Sequence, residues 1–254
     1  MIWHCGQYDF DTSTPIIMGI LNVTPDSVSD GGAYLDPKAA VAHGLEMVRA
    51  GAAIVDVGGE STRPGATPVT PDEEWDRIGE VVAALVEAGI CVSVDTRHAE
   101  VAVRALHAGA SIVNDVSGFR DPAMREAVRR CGCGCVVMHM KGEPATMQDN
   151  PVYQDVVAEV RDYLRDAAAA LKRPASSPRI CVDPPRLRQD SQADHRAYAQ
   201  PPRSCIWAIR SIGLGAAPWR GLPSGRSFTT AMWPPRLRHC SPASWAPAWC
   251  APIT

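Results

Sequence analysis

Polar side chains follow six short apolar runs of this sequence, each at the point where the run ends. Carboxylates and amides dominate among them. On neighbouring strands such groups would form a rim of hydrogen-bond acceptors, which suits a flat heterocycle carrying amide-like and amidine-like N–H groups. The residues are Asn22, Asp56, Asp95, Asn114 with Asp115, His139 with Lys141, and Asp183.

Three of these residues, Asp95, Asn114 and Asp183, are the best candidates for holding such a ring. Asn22 offers a neutral oxygen in a loop with Asp26, which fits a Mg²⁺ ion held mostly by water and by a substrate phosphate. The sequence contains no Ser/His/Asp arrangement, no H-E-x-x-H motif and no P-loop. Conventional nucleophilic, zinc and P-loop chemistry are therefore not indicated.

The apolar runs alternate with segments of helical period. Their continuous apolarity predicts strands that are buried on both faces, as in a parallel sheet. Apolar stripes on the intervening helices would pack against that sheet. The predicted strands are Ile16 to Leu21, Ala53 to Val57, Ile90 to Val94, Ser111 to Val113, Cys135 to Met138, and Ile180 to Val182.

Three helix starts are marked by an N-cap residue followed by proline, at Asp36, Thr70 and Asp121, and Thr70 forms a capping box with Glu73. The resulting repeated βα unit fits either a doubly wound sheet or a (β/α)8 barrel. A glycine-rich phosphate turn after the first strand would favour the doubly wound sheet. The first strand leads instead into Asn22-Val-Thr-Pro-Asp-Ser27.

The composition changes abruptly after Asp183. Residues 184–254 hold 11 of the 22 prolines and 5 of the 7 tryptophans, with nine arginines and neither lysine nor glutamate. This contrast predicts a barrel portion over residues 1–183 and a tail over 184–254 that is not natively structured. The arginines do not gather on one helical face, so nucleic-acid binding is not indicated.

Neither a membrane span nor a signal peptide is predicted. No run of 18 apolar residues occurs, and the first fifteen residues lack a basic-then-apolar layout. A cytoplasmic location is therefore expected. The segment Cys131-Gly-Cys133-Gly-Cys135 has one-residue spacing, which favours small residues entering a buried strand over a metal site.

Two long segments and three shorter ones resemble the signatures of dihydropteroate synthases, in that family's order. The resemblance runs from about residue 15 to Asp183, and one departure is Val28, where the family usually carries phenylalanine. The segments are Met18 to Gly32, Asp56-Val-Gly-Gly-Glu-Ser-Thr-Arg-Pro-Gly65, Ser93-Val-Asp-Thr96, Ile112 to Gly118, and Val136-Val-Met-His139.

The resemblance implies a (β/α)8 TIM-barrel transferase of folate biosynthesis. Such enzymes join p-aminobenzoate to 6-hydroxymethyl-7,8-dihydropterin pyrophosphate, releasing pyrophosphate with Mg²⁺ as cofactor. Catalysis rests mainly on electrostatic stabilisation and positioning, which agrees with the lack of a conventional nucleophile or base. The family-typical homodimer is left open, because the late helices that would form it are not recognisable in this sequence.

The resemblance also implies roles for individual residues. Asp95, Asn114 and Asp183 would grip the pterin, while Asn22 would meet the metal and the pyrophosphate. Thr62 and Met138 would line the pterin pocket. Two loops, Thr24 to Gly32 and Ser61 to Gly65, would close over the p-aminobenzoate site through Thr24, Pro25, Asp26, Ser61, Arg63 and Pro64.

A change of reading frame in the gene would explain the tail. If suitable codons encode Arg186 to Gln200, a start one base later reads G-F-G-K-T-P-K-Q-T-I-E-L-M-R, which resembles the motif missing from the family pattern. A second window, His239 to Thr254, can be encoded so that a start two bases later resembles the family's last helix and strand. The offsets differ, so at least two changes are needed. The alternative is a divergent or disordered tail rich in proline and arginine.

Three functions are thus compatible with the sequence. The first is a dihydropteroate synthase-like transferase, inactive as written if the tail has lost strands seven and eight. The second is a pterin-dependent methyltransferase, which shares the Asp/Asn/Asp rim but not the two long loop signatures. The third is a non-catalytic pterin-binding remnant. All three take small-molecule ligands.

Overall fold

Strands and helices alternate along the chain. The computed structural model describes residues 2–13, 16–24, 36–61, 67–140, 142, 153–171, 180–183 and 210–213. Its strands are β1 (Ile2–Cys5), β2 (Tyr8–Asp11), β3 (Ile17–Asn22), β4 (Ile54–Gly58), β5 (Cys91–Asp95), β6 (Ile112–Asp115), β7 (Gly134–Met138), β8 (Ile180–Asp183) and β9 (Arg210–Gly213). The helices are α1 (Pro37–Arg49), α2 (Pro71–Glu87), α3 (Ala99–His107), α4 (Pro122–Cys131) and α5 (Val156–Leu171).

Helices α1, α2 and α4 begin where the sequence predicts. Asp36 accepts a hydrogen bond from the backbone N–H of Lys38, and Asp121 accepts one from Ala123. Thr70 and Glu73 form the full capping box. Side-chain oxygens thus satisfy N–H groups that the first helical turn leaves unpaired. Among the described helices, none is long and apolar enough to cross a membrane.

Seven parallel strands form the main sheet in the order β8-β7-β6-β5-β4-β3-β9. All six predicted strands are confirmed, with ends displaced by no more than two residues. Backbone pairing carries β4 through Gly58, β5 through Asp95 and β6 through Asp115. Four strands therefore end in polar residues that were predicted to follow them, namely Asn22, Asp95, Asn114 with Asp115, and Asp183. Asp56 lies inside β4, and His139 follows β7.

Among the residues that the structure describes, helices cover one face of this sheet. Alternate strand residues such as Val55, Val92 and Val113 pack with α1 to α5 in one core cluster. The intervening residues, including Ile54 and Ile112, form a second cluster that contains no helix residue. A doubly wound sheet carries helices on both faces, so this one-sided arrangement indicates a sheet that curves around its own inner face, as in a barrel.

A β-hairpin formed by β1 and β2 covers the amino end of the inner face and was not predicted from the sequence. Trp3 and Cys5 of β1 belong to the inner cluster. The hairpin packs closely against the start of β7, because a Cβ atom added to Gly134 would lie only 2.6 Å from Cys5 Sγ. Cys133 and Cys135, the sequence neighbours of Gly134, are also buried, as expected for small residues that enter a strand.

Strand β9 belongs to the segment that the sequence analysis expects to lack native structure. It pairs with the edge of β3, from Ile17 with Arg210 to Ile20 with Gly213. Backbone N–H and C=O groups at a strand edge accept any extended segment, so side-chain patterns do not reveal this pairing. The remainder of the tail lies outside the described residues.

Candidate functional site

Three predicted site residues come together at the carboxyl ends of the strands. Asn22 pairs with Gly58, Gly58 with Asp95, and Asp95 with Asn114, in one row across four neighbouring strands. A Cβ atom on Gly58 would lie 3.4 Å from Asn22 Oδ1 and 3.5 Å from Asp95 Cβ. Glycine at this position therefore keeps open the space between the amide and the carboxylate.

The next strands extend the row. Val136 pairs with Asn114, and Met138 lies two residues further along β7, half-buried, with its backbone paired to Asp183. Met138 and Asp183 are thus one pleat nearer the mouth than Asn114. All four strands that bear a predicted pterin residue, β5 to β8, are consecutive in the sheet.

The predicted loop residues are only partly described. Thr24 is buried just after β3, and Ser61 is half-buried just after β4. Both loops therefore begin at the edge of the sheet where the parallel strands have their carboxyl ends. The remaining predicted residues, Thr62, Pro25, Asp26, Arg63 and Pro64, together with Lys141, lie outside the described residues.

Asp56 lies below this rim rather than on it. It occupies the middle of β4 and is 2% exposed. Asn114 Nδ2 donates a hydrogen bond to Asp56 Oδ2 over 2.9 Å. Ser93, its register partner on β5, is also buried. The alternation of Asp56 with Gly58 and of Ser93 with Asp95 is the sequence signal that these residues share the inner face.

Asp115 does not join the rim. Its carboxylate accepts hydrogen bonds from the Ser117 backbone at 2.7 Å, the Ser117 hydroxyl at 2.9 Å and the Phe119 backbone at 2.8 Å. Phe119 has a φ of 59°, which L residues rarely adopt. Asp115 thus stabilises the turn after β6, and its strand neighbour Asn114 is left to face the site.

Buried carboxylates make the site rich in acceptors. Burial raises the pKa of Asp95 well above its ordinary value, and the charges of Asp56, Glu74, Asp115 and Glu60 raise it further. A ligand that donates N–H groups to these oxygens would relieve this cost, whereas an anionic or acceptor-rich ring would increase it. The electrostatics therefore favour a donor-rich heterocycle at the rim.

A second polar network joins the loops after β4 and β5. Arg97 donates two hydrogen bonds to Glu60, at 2.7 and 2.9 Å. Thr96 Oγ1 donates to Glu74 Oε2 at 3.0 Å, and Arg77 donates to the Gly59 carbonyl at 2.8 Å. These contacts hold the residues that directly follow Asp95 and Gly58 in the chain. The network stabilises the rim from outside.

Sequence reasoning did not identify Glu74 as part of the site region, although a signal was present. Glu74 stands at helical spacing from Ile78, Val82 and Leu85 on the apolar stripe of α2, and all four are fully buried. A carboxylate on a buried stripe requires a partner, because an unpaired buried charge is costly. Thr96 supplies that partner.

Glu60, Glu74 and His98 could also be considered as metal ligands. One ligand atom from each lies within 4.8 Å of the others. However, both oxygens of Glu60 already accept from Arg97, and the guanidinium charge would oppose a cation. Asn22 is exposed at the mouth and offers the neutral oxygen that suits a hydrated Mg²⁺ ion.

Aromatic contacts join the loops after β6 and β7. His139 is buried, and its ring meets the Tyr163 ring edge-on with centroids 4.8 Å apart. Tyr163 donates to the Ser117 carbonyl at 3.1 Å. Arg120 donates to the carbonyls of Met140 and Gly142. His139 therefore has a packing role that the sequence left open.

Glu74 is expected to make stability depend on pH. Burial raises its pKa from 4.5 to about 7; the hydrogen bond from Thr96 opposes the rise, the Glu60 charge adds to it, and Arg97 and Arg77 oppose it. Between these pH values the folded protein keeps a proton that the unfolded chain releases. The free energy of unfolding therefore falls as pH rises from about 4.5 to about 7.

We expect Glu74→Gln to remove this loss, since glutamine keeps the size and an acceptor oxygen but does not ionise. The variant should exceed the original protein by up to about 3 kcal/mol in free energy of unfolding at pH 8, and approach it near pH 4. Urea unfolding followed by circular dichroism measures this. Glu80→Gln, at an exposed position of the same helix, is the control. A difference independent of pH would contradict the assignment.

Comparisons with known proteins agree with this geometry. Residues 18–200 match the family model described as "Pterin binding enzyme". Over 187 residues the chain is 43% identical to the dihydropteroate synthase of Neisseria meningitidis serogroup B, covering 72% of this chain and 66% of that protein. It is 52% identical over 171 residues to that of Mycobacterium leprae, covering 66% of this chain and 60% of the relative.

Solved structures are also similar. Dihydropteroate synthase from Burkholderia cenocepacia, complexed with 7,8-dihydropteroate, has a TM-score of 0.64 at 42% identity, covering 72% of this chain and 63% of that one. The Xanthomonas albilineans enzyme with 4-aminobenzoic acid has a TM-score of 0.68 at 39% identity, covering 78% and 71%. The predicted TIM-barrel class is confirmed. This chain spans slightly less than two thirds of the curated relatives just named.

Proposed function

Because this chain belongs to the pterin-binding enzyme family, we propose that its strand-end rim binds a pterin and that its function is of the dihydropteroate synthase type. In this reaction p-aminobenzoate displaces pyrophosphate from 6-hydroxymethyl-7,8-dihydropterin pyrophosphate. The observation that carries the proposal is the row Asn22, Gly58, Asp95 and Asn114, which places a carboxylate and two amides side by side around an open gap.

The pterin ring would lie over this row. Its N–H groups would donate to Asp95, Asn114 and Asp183, and Met138 with Thr62 would contact its flat face. Since burial and neighbouring charges raise the pKa of Asp95, hydrogen bonds from the ring would stabilise the ionised carboxylate. Binding therefore relieves an electrostatic cost that the free protein carries.

The pyrophosphate would leave toward the mouth, past Asn22. When bound there, Mg²⁺ would neutralise the leaving phosphates, and Asn22 Oδ1 would be its one protein ligand among the residues that the structure describes. The loops that start at Thr24 and Ser61 would cover the p-aminobenzoate site. The residues of the barrel thus act by orienting the ring and by excluding water, as expected for a site without a nucleophile.

Titration calorimetry tests the ring-binding step separately from turnover. The 254-residue protein is titrated first with the pterin pyrophosphate and Mg²⁺, then with p-aminobenzoate. We expect the first ligand to bind, because β5 to β8 carry the proposed pterin residues in one continuous sheet. Absence of pterin binding would refute the proposal. A pterin-dependent methyltransferase would instead bind a folate methyl donor in the same rim and ignore p-aminobenzoate.

A further inference from the structure

Asp56 and Asn114 share one hydrogen bond at the floor of the site. Asp56 is buried on the inner face of β4, two residues below Gly58, and Asn114 is half-buried at the rim. The donor is Asn114 Nδ2 and the acceptor is Asp56 Oδ2, 2.9 Å away. The deeper residue thus contacts the ring-binding amide from below.

The orientation of the Asn114 amide follows from this contact. A carboxamide donates at one end and accepts at the other, whereas a carboxylate only accepts. If the amide were reversed, Asn114 Oδ1 and Asp56 Oδ2 would face each other at about the distance of the present hydrogen bond. Two acceptor oxygens that close repel each other. The NH₂ end must therefore face Asp56. The carbonyl oxygen of Asn114 is then turned away from Asp56, toward the space above the rim.

We propose that Asp56 is a positioning residue that fixes Asn114 with its carbonyl oxygen toward the ligand, and so makes the pocket select a 2-amino-4-oxo pteridine over its 2,4-dioxo counterpart. This inference rests on the proposed pterin-binding function. Asp95, the register partner of Asn114, is a second acceptor beside it. The 2-amino group of the pterin can donate to both Asn114 and Asp95. The 2-oxo group of the dioxo ring cannot donate, so it would leave both acceptors without a hydrogen bond.

The hydrogen bond from Asn114 favours the acceptor-only form of Asp56. Burial raises its pKa, and the hydrogen bond from Asn114 acts in the opposite direction. The N–H group that Asn114 donates favours the ionised state, in which Asp56 cannot donate to Asn114. The selectivity thus depends on a residue that need not touch the ligand.

The test compares 6-hydroxymethylpterin with 6-hydroxymethyllumazine, which differ at the amino group. Each is titrated into the full 254-residue protein and into its Asp56→Asn variant. We expect the original protein to prefer the pterin by about 100-fold or more. In the variant, the side-chain amide at position 56 can either accept a hydrogen bond from Asn114 or donate one to it. The Asn114 amide can therefore adopt either orientation. We expect the preference to shrink at least about tenfold, chiefly because the lumazine binds better.

Ser93→Ala is the matched control, since it removes a neighbour of Asp56 but leaves an acceptor-only carboxylate under Asn114. We expect it to keep the preference. If Asp56→Asn lowered both affinities equally and left the preference unchanged, the role of Asp56 would be merely structural. That result would overturn this inference but not the proposed function. If the original protein bound neither ring, the proposed function would fail and this inference with it.

A second measurement does not depend on the folding of any variant. In the ¹⁵N-labelled original protein, the side-chain amide protons of Asn114 are observed by NMR. One proton held by Asp56 should exchange with water at least about tenfold more slowly than its partner. Equal and fast exchange of both protons would overturn the proposed orientation.

Discussion

The 254-residue protein is expected to form dihydropteroate at less than about one thousandth of the rate of a version whose reading frame is restored across both tail windows. Strands β5 to β8, which we propose carry the ring-binding residues, are present, but the chain departs from the family pattern directly after Asp183. The lysines of the G-F-G-K-T-P-K motif that the resemblance places there would neutralise the departing pyrophosphate. Removing such charge stabilisation affects the transition state more than ring binding.

Single-turnover assays with purified protein measure this difference, with calorimetry of the pterin as the control for an intact ring site. Turnover by the original chain within about tenfold of the restored version would refute the expectation. The nucleotide sequence across codons 183 to 254 tests the cause directly. If no alternative frame encodes the family's motif, the tail is a divergent segment and the loss of activity needs another explanation.

Asp95→Ala is expected to weaken pterin binding by about 100-fold while leaving the fold at least as stable as before. The affinity falls because the ring loses a charged acceptor and leaves its own N–H groups unpaired. Stability does not fall because burial and neighbouring carboxylates raise the pKa of Asp95 in the folded protein, so that this group lowers the free energy of unfolding as pH rises from its ordinary pKa toward the raised one. This combination of lost binding and retained stability is typical of a functional residue.

Calorimetry with the pterin and thermal unfolding at pH 7.5 or so check both halves of this expectation. Asp76→Ala, which removes an exposed carboxylate from α2, should alter neither quantity. Reduced stability of Asp95→Ala would indicate a structural carboxylate. Unchanged affinity would remove Asp95 from the binding site.

Much of the barrel could be predicted because its signals are local. Thr70 and Glu73 form their capping box within one turn of helix, and the apolar run before Asp95 directly predicts a buried strand. The placement of Asn22, Asp95 and Asn114 in one row also followed from a simple rule, since parallel strands end at one edge. Local periodicity and a repeated unit were sufficient for these features.

Other features depend on contacts between distant parts of the chain. The Arg97 to Glu60 ion pair spans 37 positions, and the Asn114 to Asp56 hydrogen bond spans 58. Neither pair stands out by residue type, because polar residues after strands are common. Strand β9 escaped prediction for a different reason, since its pairing with β3 uses only backbone groups.

The hairpin at the amino end has a consequence for biosynthesis. Cys5 lies against Gly134, and its inner-cluster neighbours include Val136 and Cys181. The hairpin of β1 and β2 contacts β7, whose first residue is Gly134. A ribosome adds roughly 5 to 20 residues per second, so about 6 to 26 s pass between the synthesis of Cys5 and that of Gly134. Over that interval the apolar Trp3 and the Cys5 thiol have no completed pocket to enter. The hairpin therefore completes its buried contacts only after β7 has been synthesised.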